Sequence, residues 1–403
     1  MTSVVIVGAS HAAAETISSL RKFGWQGDIT LIGDEPVLPY QRPPLSKGYY
    51  KGDVEAEKLL IRPNSFYEKN KVTLMLGIRV ESINRNDKTL SLKGGQQLAY
   101  QHLILATGTR ARKLPIQGAD LANINYLRTK QDVDSIKRQL KEGSRLLIVG
   151  AGYIGLEVAA SAVKQGSKVI VFEAMDRVLA RVTSPQVSEF YQRIHKEEGV
   201  DIRLNAALQK FEQTDSGLQA ISADGEIIPF DCAIVGIGVV PNIELADEAG
   251  LSCDNGIMVN QFTQTDDSSI YAIGDCSNHH NFLYDRRIRL ESVPNAVEQA
   301  KVAAATICGK EMIYDQLPWF WSDQYDVKLQ TAGLLQEHDQ VVTRGDANSR
   351  KFAAFYLKGG VLIAVDALNS PAEFMLSKKL IQQKISPTPA MLSDPKVSLK
   401  EFL

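Results

Sequence analysis

The sequence predicts an α/β protein built from two doubly wound nucleotide-binding units, one inserted in the other, with a smaller α+β segment behind them. Three observations carry this. A strand, a glycine turn and a helix occur in series twice, over 4–20 and 146–165. Two more apolar strands ending in glycine, His102 to Gly108 and Cys232 to Gly238, bracket the second copy. From Pro318 onward the pattern becomes strands, at 352–357 and 361–365, and then a helix over 372–383. Strands that alternate with helices form parallel sheets covered on both faces, whereas the last pattern belongs to an α+β layer.

The first copy reads VVIVGASHAAAE, Val4 to Glu15. Val4–Val7 is the strand, Gly8 the turn, 12–20 the helix and 29–32 the second strand, with Asp34 or Glu35 as the acid that follows it. A dinucleotide fingerprint would place glycine at Ser10 and Ala13 as well. Ala13 satisfies a position where only smallness matters. Ser10 is a departure at the point where backbone and phosphate approach, although its hydroxyl is a donor a phosphate oxygen accepts.

The second copy, LLIVGAGYIG over 146–155, is complete: Gly150, Gly152 and Gly155 follow a β-rich run and precede a helix over 156–165. Gly150 permits the tight turn, Gly152 the approach of the backbone to a pyrophosphate, and Gly155 close packing of helix on strand. The helix N-terminus presents N–H groups to the anion. The next strand, 168–172, ends in Glu173, at the spacing of an acid that binds a ribose 2′-hydroxyl and repels a 2′-phosphate. NADH is therefore expected over NADPH, with Arg177 and Arg181 close enough in sequence to soften the preference. The expected organisation is a nucleotide-binding domain at 110–238 inserted into another formed by 1–109 and 239–317, with 318–403 as an interface domain.

Composition narrows the class. The 403 residues carry 45 Lys and Arg against 47 Asp and Glu, a net charge of −2, so no overall positive field invites nucleic acid or an anionic membrane. No apolar run approaches the roughly 18 residues of a membrane span, and the chain enters its first strand without a signal-like segment. A cytoplasmic protein is expected. Cys232, Cys253, Cys276 and Cys308 have no C-x-x-C or C-x4-C spacing, which argues for buried thiols and against metal or dithiol chemistry. His11 reads as a bystander, and His279-His280 lacks partners at ligand spacing, so no metal site is expected.

PPLSK (43–47), LATG (105–108), YLRT (126–129), GYIGLE (152–157), AIGD (272–275), ESVPNA (291–296) and PWFWSDQ (318–324) follow one another in the chain. In this order they resemble the FAD-dependent, NADH-consuming ferredoxin reductases of bacterial oxygenase systems, over essentially the whole length. The resemblance implies a glutathione-reductase-like architecture of two Rossmann-like domains, the first for FAD and the inserted one for NADH. It implies FAD contacts at Ala12, Asp34, Lys47, Val80, Arg128, Asp275 and Val293, joined by Gly8, Ser10, Ala13, Thr107, Gly108 and Gly274 of the turns. For NADH it implies Gly150, Gly152, Ile154, Gly155, Glu157, Glu173 and Gly238, with Glu157 at the nicotinamide end and Lys47 facing it near the flavin. Trp321 or its neighbour Trp319 lines the flavin edge, lies under a partner or packs in the core.

The implied partner is an acidic 2Fe-2S ferredoxin feeding a haem-thiolate monooxygenase or a Rieske-type oxygenase. Disulfide- and peroxide-reducing relatives carry cysteine after the first acid, where this chain has PVLPYQRPPLSK, 36–47, without one. Arg62 and Lys301 fall at the family's docking positions, with Lys328 nearby in sequence, and a monomer or weak homodimer is expected. Two rivals stand beside this reading: an NADH oxidase or diaphorase with a quinone or oxygen acceptor, and a non-enzymatic, NADH-responsive redox sensor.

Overall fold

The computed structural model describes residues 2–403, which form two compact units. The first runs through Gln41 and takes in Ala56–Arg110 and Val240–Pro318; the second comprises Arg42–Glu55, Ala111–Val239 and Trp319–Leu403.

The first unit is built on a five-stranded sheet in the order Ile270–Ala272, His102–Leu105, Ser3–Val7, Asp28–Gly33, Val72–Leu76. Every neighbouring pair is parallel. Such strands are covered on both faces, which is why they read as unbroken apolar runs. On one face the helix His11–Phe23 packs against Val293–Ile307, joining Ala13, Ile17 and Leu20 to Ala300, Ala303 and Ala304 in one core. The alanines let the two helices approach closely. On the other face Val5, Val7, Leu103 and Leu105 pack with Val80, Leu90 and Leu92 of a three-stranded antiparallel sheet. The first helix runs past the expected 12–20. Arg21 and Lys22 favour its negative C-terminal end, and the left-handed Gly24 stops it.

The second unit has its own parallel sheet, in the order Asp201–Arg203, Lys168–Phe172, Arg145–Val149, Cys232–Val235, Ile124–Asn125. Its fingerprint helix is Tyr153–Lys164, which begins three residues ahead of the expected start because the extended Gly152 serves as N-cap. The C-terminal part is a five-stranded antiparallel sheet, Trp319–Gln324, Val327–Gly333, Val361–Leu368, Phe352–Lys358, Gln340–Gly345, with the helix Pro371–Gln382 against it. The segment Arg42–Glu55, which lies within 1–109 in the sequence, packs in this unit: Tyr50 is fully buried, and Ser161 Oγ donates to Ser46 O at 2.9 Å.

Among the described residues no helix is long and apolar enough to cross a membrane, and no group of His, Cys, Asp and Glu is arranged to hold a metal. The four thiols are free. Cys232 and Cys276 are buried as expected, but Cys253 and Cys308 are only half-buried, since each lies in a connection beside a core rather than in it. Burial pushes the thiols up, Cys232 to about 12 and Cys253 to about 11.

Candidate functional site

In the first unit the turn after the opening strand admits only glycine at its first position. Gly8 has φ +109°, and a Cβ there would lie 2.1 Å from the carbonyl oxygen of Ala106 on the neighbouring strand's exit. Ser10 caps the helix in extended conformation, and its hydroxyl makes no capping bond. Ala13 is fully buried, and Ala12 stands beside a second turn: a Cβ on Gly274, at φ +77°, would be 3.6 Å from Ala12 Cβ. That second turn is held from behind by Gln299, whose buried Oε1 accepts from Gly274 N–H at 2.7 Å and from Ser277 Oγ at 2.8 Å. Asp275 follows at once, with Thr109 Oγ1 3.4 Å from its carboxylate and Arg289 donating to its backbone carbonyl.

The other first-unit positions are placed as follows. Asp34 is exposed at the end of its strand, whereas the carboxylate of Glu35 accepts from Tyr40 OH at 2.6 Å. Thr107 exchanges hydrogen bonds with Asn242, and Gly108 has φ +65°. Val80 is buried at the start of Val80–Asn84, and Val293 opens the helix capped by Ser292. Arg62 is exposed and stacks over Phe66, and Lys301 is half-exposed and paired to Glu298 at 2.7 Å.

In the second unit the three glycines have three different reasons. A Cβ on Gly150, at φ +103°, would lie 2.5 Å from Gly236 O, and one on Gly155 would lie 2.2 Å from Gly150 O. At Gly152 the backbone is ordinary, φ −78°, and a Cβ would meet nothing within 4 Å. Packing therefore explains Gly150 and Gly155 but not Gly152, and the open space above Gly152 is what a pyrophosphate requires. Ile154 is exposed in the first turn of the helix. Gly238, at φ +107°, sits near the Arg181 guanidinium.

Glu173 turns back to the fingerprint, accepting from Ala151 N–H at 2.7 Å and Met175 N–H at 2.9 Å. A carboxylate has about four acceptor sites, so capacity remains for ribose hydroxyls. Arg177 is committed elsewhere: it donates to Thr183 O, Ala180 O and Ser188 Oγ.

Lys47 and Glu157, about a hundred residues apart in sequence, form an ion pair at 2.8 Å. Glu157 is 5% exposed and engaged at both oxygens: Oε2 also accepts from Ser46 Oγ at 2.5 Å, and Oε1 accepts from Ser322 Oγ at 2.6 Å. A buried carboxylate persists only with such partners. Arg128 lies in this unit too, its carbonyl accepting from Arg42 Nη1 at 2.8 Å. The tryptophans are half-buried: Trp319 packs on Phe374 under Lys378, with Trp321 5.9 Å away, centroid to centroid. Lys328 is exposed.

Sequence reasoning missed Ser46, Ser322 and Gln299. Ser322 had a signal: in WFWSDQ the strand alternation puts it on the face opposite the tryptophans.

Residues 2–300 match the family model described as pyridine nucleotide-disulphide oxidoreductase, and residues 319–403 match one described as reductase C-terminal. Putidaredoxin reductase of Pseudomonas putida is 44% identical, covering 100% of this chain and 96% of its own length. Rhodocoxin reductase of Rhodococcus erythropolis is 42% identical, covering 99% and 93%. The crystal structure of the covalent putidaredoxin reductase–putidaredoxin complex superimposes with a TM-score of 0.97 at 44% identity, covering 100% of this chain and 98% of the other.

Proposed function

The chain belongs to the pyridine nucleotide-disulphide oxidoreductase family, among its ferredoxin reductases, and from that premise we propose that it carries electrons from NADH, through FAD, to a small acidic 2Fe-2S ferredoxin. The observation that carries the reading is the ion pair of the half-buried Lys47 with the buried Glu157, the latter on the helix that opens at the second glycine cradle, in a chain with no cysteine over 36–47. The open room over Gly152 supports a pyrophosphate at the second cradle. When bound, FAD accepts the hydride of NADH and releases the two electrons singly.

The protein's part is binding and alignment. The first unit presents Gly8, Ser10, Ala12, Ala13, Thr107, Gly108 and Gly274 around its turns, with Asp34, Val80, Asp275 and Val293 as further FAD contacts. The second presents Gly150, Gly152, Ile154, Gly155, Glu173 and Gly238 to NADH, with Glu157 holding Lys47 at the nicotinamide end. Lys47, Arg128 and Trp321 are proposed flavin contacts. The proposed domain division is 1–109 and 239–317 for FAD, 110–238 for NADH and 318–403 as the interface domain, with the segment Arg42–Glu55 packed in the second unit. We place the protein in the cytoplasm as a monomer or weak homodimer, its ferredoxin feeding a haem-thiolate or Rieske-type oxygenase.

The test is NADH-driven turnover with a panel of 2Fe-2S ferredoxins beside ferricyanide. Arg62→Glu with Lys301→Glu is expected to lower ferredoxin turnover about tenfold or more, through lost steering, and to spare ferricyanide. A parallel fall in both activities would remove the docking assignment. Oxygen or quinone reduction as fast as that of every ferredoxin would overturn the acceptor.

Glu173 makes a separate prediction. Like charges brought together cost several kcal/mol, so kcat/KM for NADH should exceed that for NADPH by about tenfold or more, and Glu173→Ala should narrow the ratio. Equal values in the unaltered protein would dispose of the argument.

A further inference from the structure

Strand Trp319–Gln324 faces the helix Tyr153–Lys164 with every second residue. The Phe320 ring meets the Tyr153 ring edge-on at 4.8 Å, Ser322 reaches Glu157, and Gln324 continues to His195 on the helix Pro185–Glu197. Tyr153 and Glu157 are four residues apart, so they share a helix face. The strand's period of two and the helix's stagger thus bring four polar side chains, Glu157, Ser322, Gln324 and His195, into one line.

The hydrogen bonds along that line have a single consistent direction. The Glu157 carboxylate only accepts, so Ser322 must donate its one hydrogen there, at 2.6 Å. The Ser322 oxygen then accepts from Gln324 Nε2, at 3.2 Å. That turns Gln324 Oε1 toward His195 Nε2, at 2.8 Å, which must carry the imidazole proton. His195 Nδ1 is left to accept from Tyr325 OH, at 2.9 Å. Ser322, Gln324 and His195 are each no more than 1% exposed, so water does not compete for these bonds. Burial also holds the imidazole neutral, its pKa pulled down to about 4. Bonds aligned head to tail polarise one another.

We infer that Ser322, Gln324 and His195 are positioning residues for the Glu157–Lys47 pair: a one-way relay of donors, running inward from Tyr325, that fixes the carboxylate from the side opposite Ser46. The inference rests on the reading of Glu157 at the nicotinamide end. Its consequence is that the C-terminal sheet sets the geometry of hydride delivery without touching the nicotinamide. The glutamine amide passes polarity rather than protons, so the line orients and does not conduct.

The experiment is anaerobic stopped-flow reduction of the FAD-loaded protein by NADH. Ser322→Ala removes the last donor. Gln324→Met keeps the approximate shape but cannot donate to Ser322. Each is expected to lower the limiting rate of flavin reduction about tenfold, as misplacement of a reacting group does, while the NADH Kd changes less than about twofold. Ser322→Ala should add nothing further in a Glu157→Gln background, since coupled residues are not additive. Additive losses, or a wild-type rate in both variants beside a slow Glu157→Gln, would overturn the relay. A wild-type rate in Glu157→Gln itself would instead bring down the reading of Glu157. A readout independent of turnover is nitrogen-15 NMR of labelled histidine: His195 should be neutral with its proton on Nε2. A proton on Nδ1 reverses the chain and refutes the proposal even if the substitutions fail to fold.

Discussion

Gly152→Ala is expected to fold as the parent does and to lose NADH, whereas Gly150→Ala, two residues earlier, is expected to lose the fold of its turn. At Gly152 the backbone is one that alanine adopts freely and its Cβ would meet nothing within 4 Å. Alanine is a poorer N-cap by about 1 kcal/mol but restricts the unfolded chain by a similar amount, and the two terms largely offset each other. Stability should stay within about 1 kcal/mol. The methyl group instead fills the room into which the helix N-terminus directs its N–H groups, so the NADH Kd should rise about tenfold or more, the scale of a misplaced anion contact.

At Gly150 two costs combine: φ +103° is strained for any side chain, and the Gly236 carbonyl oxygen stands 2.5 Å from the new Cβ. Strain of about 1–2 kcal/mol and overpacking of about 1–3 kcal/mol give a loss of about 3 kcal/mol, read as a lowered thermal midpoint. Calorimetry with NADH and thermal melts of both variants separate the two roles. Unchanged NADH affinity in Gly152→Ala would mean that the pyrophosphate does not lie over this turn.

Acid is expected to destabilise the chain between pH 6.5 and about 4 through two buried histidines, one in each unit. His195 and His279 are 0% and 2% exposed, and burial pulls each pKa from 6.5 to about 4. Arg287 and His280 add to the effect at His279, while the Gln324 hydrogen bond works against it at His195. A folded-state pKa below the unfolded value means that the unfolded chain binds the proton first as pH falls. The contribution is complete above pH 6.5 and gone near pH 4, about 3 kcal/mol for each imidazole. Asp366 acts with the opposite sign. Burial raises its pKa despite donors from Thr183, Thr331 and Tyr356, so its ionisation as pH rises favours unfolding. A His195→Gln variant isolates the histidine share. Its thermal midpoint should fall less steeply than the parent's from pH 6.5 to 4, and identical slopes would refute the assignment.

The two cradles were legible in the sequence because the contacts that demand their glycines are local or come from the adjacent strand. Gly155 answers to Gly150, five residues away, and Gly8 answers to Ala106 on the strand paired with its own. The strands were legible because burial on both faces leaves an unbroken apolar run. Helix ends shifted by a turn or less, since Gly152 and Gly24 rather than the apolar pattern decide where the helices start and stop.

The surroundings of Glu157 were not legible from local pattern. Its partners Ser46 and Ser322 come from 111 and 165 residues away. A serine in a proline loop and another in an aromatic strand carry no sign of a shared carboxylate. The family resemblance supplied Lys47 and Glu157 as a pair but not what holds them. Arg177 had the same ambiguity: its proximity to Glu173 left it open as a phosphate ligand, and three bonds to its own loop and helix assign it to structure.

By itself, then, the sequence determined the features that repeat at short range, namely two strand–glycine–helix units, an acid at the end of each second strand and the lack of a paired thiol, and, through the ordered motifs that carry the resemblance, the cofactors and the family. Tertiary structure alone decided which glycine is left open for a ligand, which acid of the pair 34–35 is free of Tyr40, and how a buried carboxylate is satisfied. The physical reason is range. Backbone sterics and hydrophobic periodicity act over a few residues and leave a mark in the pattern, whereas a buried charge takes its donors from wherever the fold delivers them.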